Sequence, residues 1–353
     1  MSLVSYKGVS ISGLAAAVPR NIIDNQTNIN NIFTNTEREN TISTTGIKFR
    51  RIADKDICSS DLCFVAADRL LNSMNCDRSS IDLLIFVSQT PDYRQPATAP
   101  ILQYRLGLSK NTGAFDINLA CSGYIYGLST AFAYCSMKNV HKVLLLVGET
   151  LSKIISFEDR ATSMLFGDGG TATLIEKDNK GKESFFSLNS DGSGYNVLII
   201  EGGGYRHPSS PETLSLQEYP DGSKRTQENL KMDGMEVFNF TMREVPNDIK
   251  KIMKFADIKE KDISYFIFHQ ANKMMTEFFM KKLQFPSEKA VYSLDIFGNT
   301  SAVSIPLTMV SEIKKDLQRK ELVLLLSGFG GGLSWGSAII YTNQICVPEI
   351  IEI

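Results

Sequence analysis

Four groups in this chain have residue types that could do chemistry: Cys121, His269, Asn299 and a glycine-rich run, GFGGGLSWGSA (328–338). Cys121 stands in DINLACSGYIYGL, a small-residue turn ahead of a helical stretch beginning near Ser122. A thiol at a helix start is expected to have its pKa pulled below the ordinary ~8.5, which favours the nucleophilic thiolate. Read alone, a lone cysteine is more often a small packing residue. His269 ends the apolar run ISYFIF, at the C-terminal end of a strand, where α/β proteins place functional groups; a structural, hydrogen-bonded histidine is the competing reading. Asn299, in DIFGNTSAVSIP, is by itself a turn residue. The glycine run lacks the GK[ST] of a phosphate loop and has no following helix. Backbone N–H groups presented to an oxyanion suit it better.

These residues need elements to hold them. Segments 81–89, 142–149, 171–177, 262–270, 321–328 and 336–342 are short, β-branched and aliphatic, and read as buried strands. Segments 59–74, 122–137, 235–256 and 304–320 carry apolar residues at helical spacing. Alternation of the two predicts an α/β fold with buried sheets. The strands also repeat. IDLLIFVSQ matches DISYFIFHQ, and KVLLLVG matches LVLLLSG, at an offset of about 180 residues. Duplication is the reading, with one half at 1–175 carrying Cys121 and the other at 176–353 carrying His269 and Asn299. The same offset carries Cys121 onto Ser301, so two helix N-termini should face each other across a pseudo-twofold axis, each offering unpaired N–H groups.

Composition narrows the function classes. With 353 residues, 43% hydrophobic and 22% charged, the chain is globular, and its net charge of −2 speaks against a nucleic-acid partner. Three histidines with no ligand spacing argue against a metal site. Six cysteines without framework spacing suggest free thiols. No stretch reaches membrane-span length and the N-terminus lacks a signal-peptide block, so a cytoplasmic protein is expected.

Taken together, DINLACSG, FHQAN, GNTSA and GFGGGLSWGSA, with LFGDGG, MDGMEVF and TGIKFRRIA, resemble the β-ketoacyl-acyl-carrier-protein synthase III family over nearly the whole chain. The resemblance implies a thiolase-like five-layered αβαβα fold of two pseudo-repeats, usually in a homodimer. It implies Cys121 as nucleophile, completed by His269 and Asn299, and the backbone N–H groups of Cys121 and Gly331 as an oxyanion hole. The reaction implied is acyl transfer to Cys121, then decarboxylative Claisen condensation with a malonyl thioester in fatty acid biosynthesis. It needs no cofactor beyond acyl-CoA or acyl-carrier and malonyl-carrier substrates. Asn272 and Phe329 are implied to line the substrate tunnel. Lys273, Lys281 and Lys282 make a candidate docking patch for an acidic acyl carrier protein, or an ordinary solvated helix face.

The resemblance also has gaps. Where the family carries an adenine-stacking tryptophan stands Asn40, and Thr44 replaces a nearby arginine. The other side of that clamp is kept as Arg160. Loss of the stacking face predicts coenzyme A recognition weaker by ~1–3 kcal/mol. Gln95 occupies the place of a bulky apolar residue of the acyl pocket, contributed across the dimer, and would suit a functionalised chain. Met274 replaces an arginine beyond HQAN. The polar stretch 204–231 is longer than usual and reads as a loop over the tunnel mouth. Three alternatives use the same residues differently: an acyltransferase passing the acyl group to an alcohol or amine, a cysteine hydrolase, and a non-catalytic carrier-binding subunit.

Overall fold

Residues 2–27 and 32–353 are described by a computed structural model. The predicted strands appear as Leu83–Val87, Lys142–Glu149, Gly169–Lys177, Tyr265–Phe268, Glu321–Gly330 and Ser334–Asn343. Each is buried along most of its length because it is covered on both faces.

Two sheets result. In the first, Val9–Val18, Gly169–Lys177, Lys142–Glu149, Leu83–Val87 and Gly113–Ile117 follow one another in that order. In the second the order is Ser184–Ser190, Ser334–Asn343, Glu321–Gly330 and Tyr265–Phe268. Both contain a parallel pair flanked by two antiparallel neighbours in the same sense. The second sheet even keeps a remnant of the fifth strand, a single bridge from Phe266 to Ala290. The predicted duplication is thus visible in strand order and direction. The termini do not respect the 175/176 division. Ser2–Tyr6 extends the second sheet and Ile351–Glu352 the first, so each half borrows an edge strand from the other.

Side-chain alternation builds the layers. Val143, Leu145 and Val147 face the space between the sheets, while Leu144 and Leu146 face outward. On the second sheet Leu322, Leu324 and Leu326 face inward and Leu325 and Phe329 outward. Helices Gly123–Ser136 and Ser304–Glu312 fill the inner layer. Ser59–Ser73 and Thr98–Arg105 cover the first sheet, and Gly234–Phe255 and Lys273–Leu283 the second. The layers run αβαβα around one shared core. The helix expected over 304–320 is two helices, broken at Ile313, whose φ of −118° leaves the helical region.

The stretch 204–231 differs from the unstructured loop the sequence suggested. It holds a small hairpin, Gln217–Glu218 against Lys224–Arg225. Lys224 N–H donates to the Glu158 carbonyl (2.8 Å) and Leu230 N–H to that of Ile154 (2.7 Å), fastening it to that segment. Leu145 is fully buried between the sheets. Leu145→Ala is expected to lower stability by about 2–5 kcal/mol, read as a lower denaturation midpoint with the fold retained.

Candidate active site

The chain leaves the edge strand Gly113–Ile117 of the first sheet, and the corresponding bridge at Ala290 of the second, for turns that each start a helix of the inner layer, and those turns meet. Cys121 precedes helix Gly123–Ser136; Ser301 opens the turn that feeds helix Ser304–Glu312. Their side chains touch, Cys121 Sγ to Ser301 Oγ at 3.4 Å. The contact joins the two positions that the sequence repeat superimposed.

Strand Glu321–Gly330 ends directly against this turn. A Cβ on Gly330 would lie 2.9 Å from both Cβ and Sγ of Cys121, and one on Gly328 2.9 Å from the Cys121 carbonyl oxygen. Only glycine permits that approach. Ser334 Oγ donates to the Gly331 carbonyl (2.9 Å) and therefore accepts from Ser122 Oγ (2.7 Å), tying the glycine run to the Cys121 turn. Gly331 itself adjoins Ala120, the residue before Cys121.

His269 N–H is held by the Ser327 carbonyl at 2.8 Å. Its Nδ1 lies 2.8 Å from Ser304 Oγ, and its ring meets Phe329 edge-on at 5.4 Å. Asn299 is anchored by a backbone bridge to Phe166, and its Oδ1 accepts the Ser301 N–H (2.9 Å). That bond leaves the amide nitrogen as the free end, a donor. Cys121, His269, Asn299 and Phe329 line one apolar cavity of about 210 Å³, with Leu198 and Met232 in its wall.

Burial dominates the electrostatics. It drops His269 to about 3, so the imidazole is neutral at physiological pH. It pushes the Cys121 thiol to about 12, against the pull of the Ser301 hydrogen bond and with added repulsion from Glu149. The sequence expectation of a lowered thiol pKa is therefore reversed in the resting site. Removal of the sulfur from water outweighs placement at a helix start.

The other expected residues divide. Asn272 lines the cavity, but its side chain caps helix Lys273–Leu283 by accepting Met275 N–H (2.8 Å). Arg160 is engaged within the chain: it pairs with Glu37 (2.5 Å), donates to the Ile32 carbonyl and lies 4.8 Å over the Phe33 ring. Gln95 is exposed and does not line the cavity of its own chain. Lys273, Lys281 and Lys282 are exposed on one helix; Lys273 faces Glu277 (3.7 Å) and Lys282 donates to the Met242 carbonyl (2.8 Å). Cys63 and Cys135 are core residues, as expected. FGDGG is structural: buried Asp168 accepts from Ala53 N–H (2.7 Å) and Ser152 N–H (3.0 Å).

Sequence reading missed Glu149, fully buried near the site and pushed up to about 8 by burial. The available signal was a carboxylate closing an otherwise apolar strand, KVLLLVGE. Gln89 and Ser304 were also missed; among many polar residues nothing in their spacing marked them.

Two outcomes are expected here. Gly330→Ala should slow acylation of Cys121 at least about tenfold while the protein stays folded, because the new methyl displaces the nucleophile. The His269 imidazole resonances should not titrate between pH 5 and 8. A depressed pKa keeps the ring uncharged above about 3, and a midpoint near 6.5 by NMR would contradict the dry site.

Comparison with known proteins places this geometry. Residues 115–194 match the family model for 3-oxoacyl-[acyl-carrier-protein] synthase III, and residues 253–342 that for the C-terminal part of the same enzymes. The β-ketoacyl-[acyl-carrier-protein] synthase III of Natranaerobius thermophilus is 37% identical, over 88% of this chain and 94% of its own. That of Desulfitobacterium hafniense is 35% identical over 94% and 97%. The crystal structure of a 3-oxoacyl-(acyl-carrier-protein) synthase from Burkholderia xenovorans superposes with a TM-score of 0.93 at 37% identity, covering 100% of this chain and 99% of that one. With the layered duplicate fold and the paired helix starts, these likenesses show that the chain belongs to the 3-oxoacyl-acyl-carrier-protein synthase III family of thiolase-fold condensing enzymes.

Proposed function

We propose that this protein catalyses decarboxylative condensation of an acyl group with a malonyl thioester, using Cys121, His269 and Asn299. The observation that carries this reading is the meeting of these three side chains, from both halves, in one apolar cavity. Cys121 attacks an acyl thioester and the donor thiolate leaves, so one thioester replaces another at little free-energy cost. The backbone N–H groups of Cys121 and Gly331 hold the tetrahedral oxyanion. The malonyl thioester then loses CO2. The enolate oxygen is met by the Asn299 amide nitrogen and by the His269 ring at Nε2, in the neutral tautomer protonated there. A neutral imidazole suits a hydrogen-bond donor that is not required to take up a proton. The carbanion attacks the acyl-Cys121 carbonyl and expels the cysteine thiolate. The proposed reaction draws on no cofactor beyond its thioester substrates. The relatives are named for this condensation, which does not favour acyl transfer to an alcohol or amine.

The acyl carrier protein is the partner in this reading, with Lys273 and Lys281 offered at the exposed helix next to the cavity. A carrier-bound primer is favoured over acyl-CoA, since Asn40 supplies no stacking face and Arg160 is already paired with Glu37. A homodimer is supported by strand Gly113–Ile117, which ends the first sheet with an open edge that isolated sheets seldom leave uncovered. Only through a partner copy would Gln95 reach an acyl pocket. No helix among the described residues is long and apolar enough to cross a membrane; a cytoplasmic location is part of this reading.

Intact-mass analysis with a panel of acyl-CoA and acyl-carrier primers tests the reading. An acyl adduct is expected on the wild type and none on Cys121→Ala. His269→Ala should still acylate yet release no CO2 from malonyl-carrier. Equal loss of both steps would sink the division of roles, and an adduct persisting in Cys121→Ala would sink the nucleophile.

A further inference from the structure

Three polar side chains next to the nucleophile have no part in the chemistry above: Glu149, Gln89 and Ser301. Glu149 and Ser301 are fully buried, and Ser301 holds φ +51°, which few serines adopt. Their hydrogen bonds form a chain. The Glu149 carboxylate accepts Gln89 N–H (3.2 and 3.3 Å), Gln89 Nε2 (3.0 Å) and Thr90 Oγ1 (3.2 Å). Gln89 Nε2 also lies 3.0 Å from Ser301 Oγ, and Ser301 Oγ lies 3.4 Å from Cys121 Sγ.

The direction of each bond follows from the groups' capacities. An amide nitrogen has two hydrogens and no acceptor site. One goes to Glu149 and the other to Ser301. Where Glu149 is ionised, above about pH 8, the flipped amide would set Oε1 against a carboxylate oxygen, acceptor against acceptor. Ser301 Oγ is then already an acceptor, and its own hydrogen has the Cys121 sulfur within reach. A hydroxyl donor aimed at sulfur favours the thiolate over the thiol. The groups that bear on the sulfur are Ser301, Glu149 across the chain and the neutral His269 ring in the same cavity; Asp168 bears on Glu149 in turn.

We infer that Gln89 and Ser301 form a directional hydrogen-bond chain, anchored on the buried carboxylate of Glu149, that aims a hydroxyl donor at Cys121 and stabilises its thiolate. Ser301 touches the reacting atom; Gln89 is a positioning residue that acts through it. The chain answers the problem set by burial. The site must be dry for the enolate, yet a dry thiol resists ionisation, and a pre-aimed donor offsets part of that cost without admitting water.

The inference rests on Cys121 as the nucleophile, and its test is run without substrate so that the two can fail separately. Alkylation by iodoacetamide is followed between pH 7 and 10 on the Cys121 peptide by mass spectrometry, with partly exposed Cys58 in the same digest as the internal control. Ser301→Ala keeps the backbone N–H that anchors Asn299 and removes only the hydroxyl. It should slow Cys121 alkylation about three- to tenfold at every pH. That is the loss of roughly one unit of pKa, tempered by the greater nucleophilicity of a more basic thiolate. Gln89→Leu should slow it in the same direction by a smaller factor. The double variant should match Ser301→Ala, because Gln89 acts only through the hydroxyl. Should Ser301→Ala not fold, Ser301→Gly removes the same hydroxyl while relieving the positive φ. Wild-type rates in the hydroxyl-free variant, or slowing that adds in the double variant, would overturn the chain.

Discussion

The structure depends on one close approach. The end of strand Glu321–Gly330 runs so near the Cys121 turn that a methyl group on Gly330 would fall 2.9 Å from the sulfur. Beside that contact the two turns meet, with Ser301 against Cys121, and His269 and Asn299 from the second half stand around Cys121 from the first. Each half alone carries an incomplete site. Duplication supplies two similar turns, and glycine at the end of strand Glu321–Gly330 lets that strand lie against the first of them.

The same packing excludes water. Dehydration raises the thiol and lowers the imidazole, so both rest uncharged. In the proposed reaction an uncharged His269 donates a hydrogen bond and never becomes a cation. The thiol is harder to reconcile, because the attacking species is the thiolate. Local dipoles must then do what solvent cannot: the helix start behind Cys121, the backbone N–H groups about it and the Ser301 hydroxyl. In a low-dielectric cavity each such donor acts more strongly than it would in water.

Away from the chemistry the chain has features of its own. The stretch 204–231 is secured to Ile154–Arg160 by backbone bonds, by Arg160 N–H to Ser223 Oγ (3.0 Å), and by Arg225, which faces Asp159 at 3.8 Å and stacks on Tyr219 of its own stretch at 3.7 Å. Its flanks place Leu198 and Met232 in the cavity wall. Polar residues therefore folded into a fixed element where composition suggested a free loop. The reason is that Asp, Ser and Gly at 221–223 make a turn whose backbone is paired on both sides.

Much of this was legible in the residues. Apolar strands and amphipathic helices were readable because burial on one or two faces imposes a period. The duplication was readable because strand order is kept along the chain, and its offset alone pointed Cys121 at Ser301. The motifs around Cys121, His269 and Asn299 marked the reacting groups. Strand exchange at the termini, the partners of Arg160 and the Glu149–Gln89–Ser301 chain were not readable, because each joins residues from 60 to over 300 positions apart. The sign of the Cys121 shift could not be read either. A helix start is a local property that sequence displays, whereas desolvation depends on what the whole fold packs around the sulfur. The types of the reacting groups were thus set by the sequence, and their ionisation only by the tertiary structure, since dielectric surroundings are a property of packing.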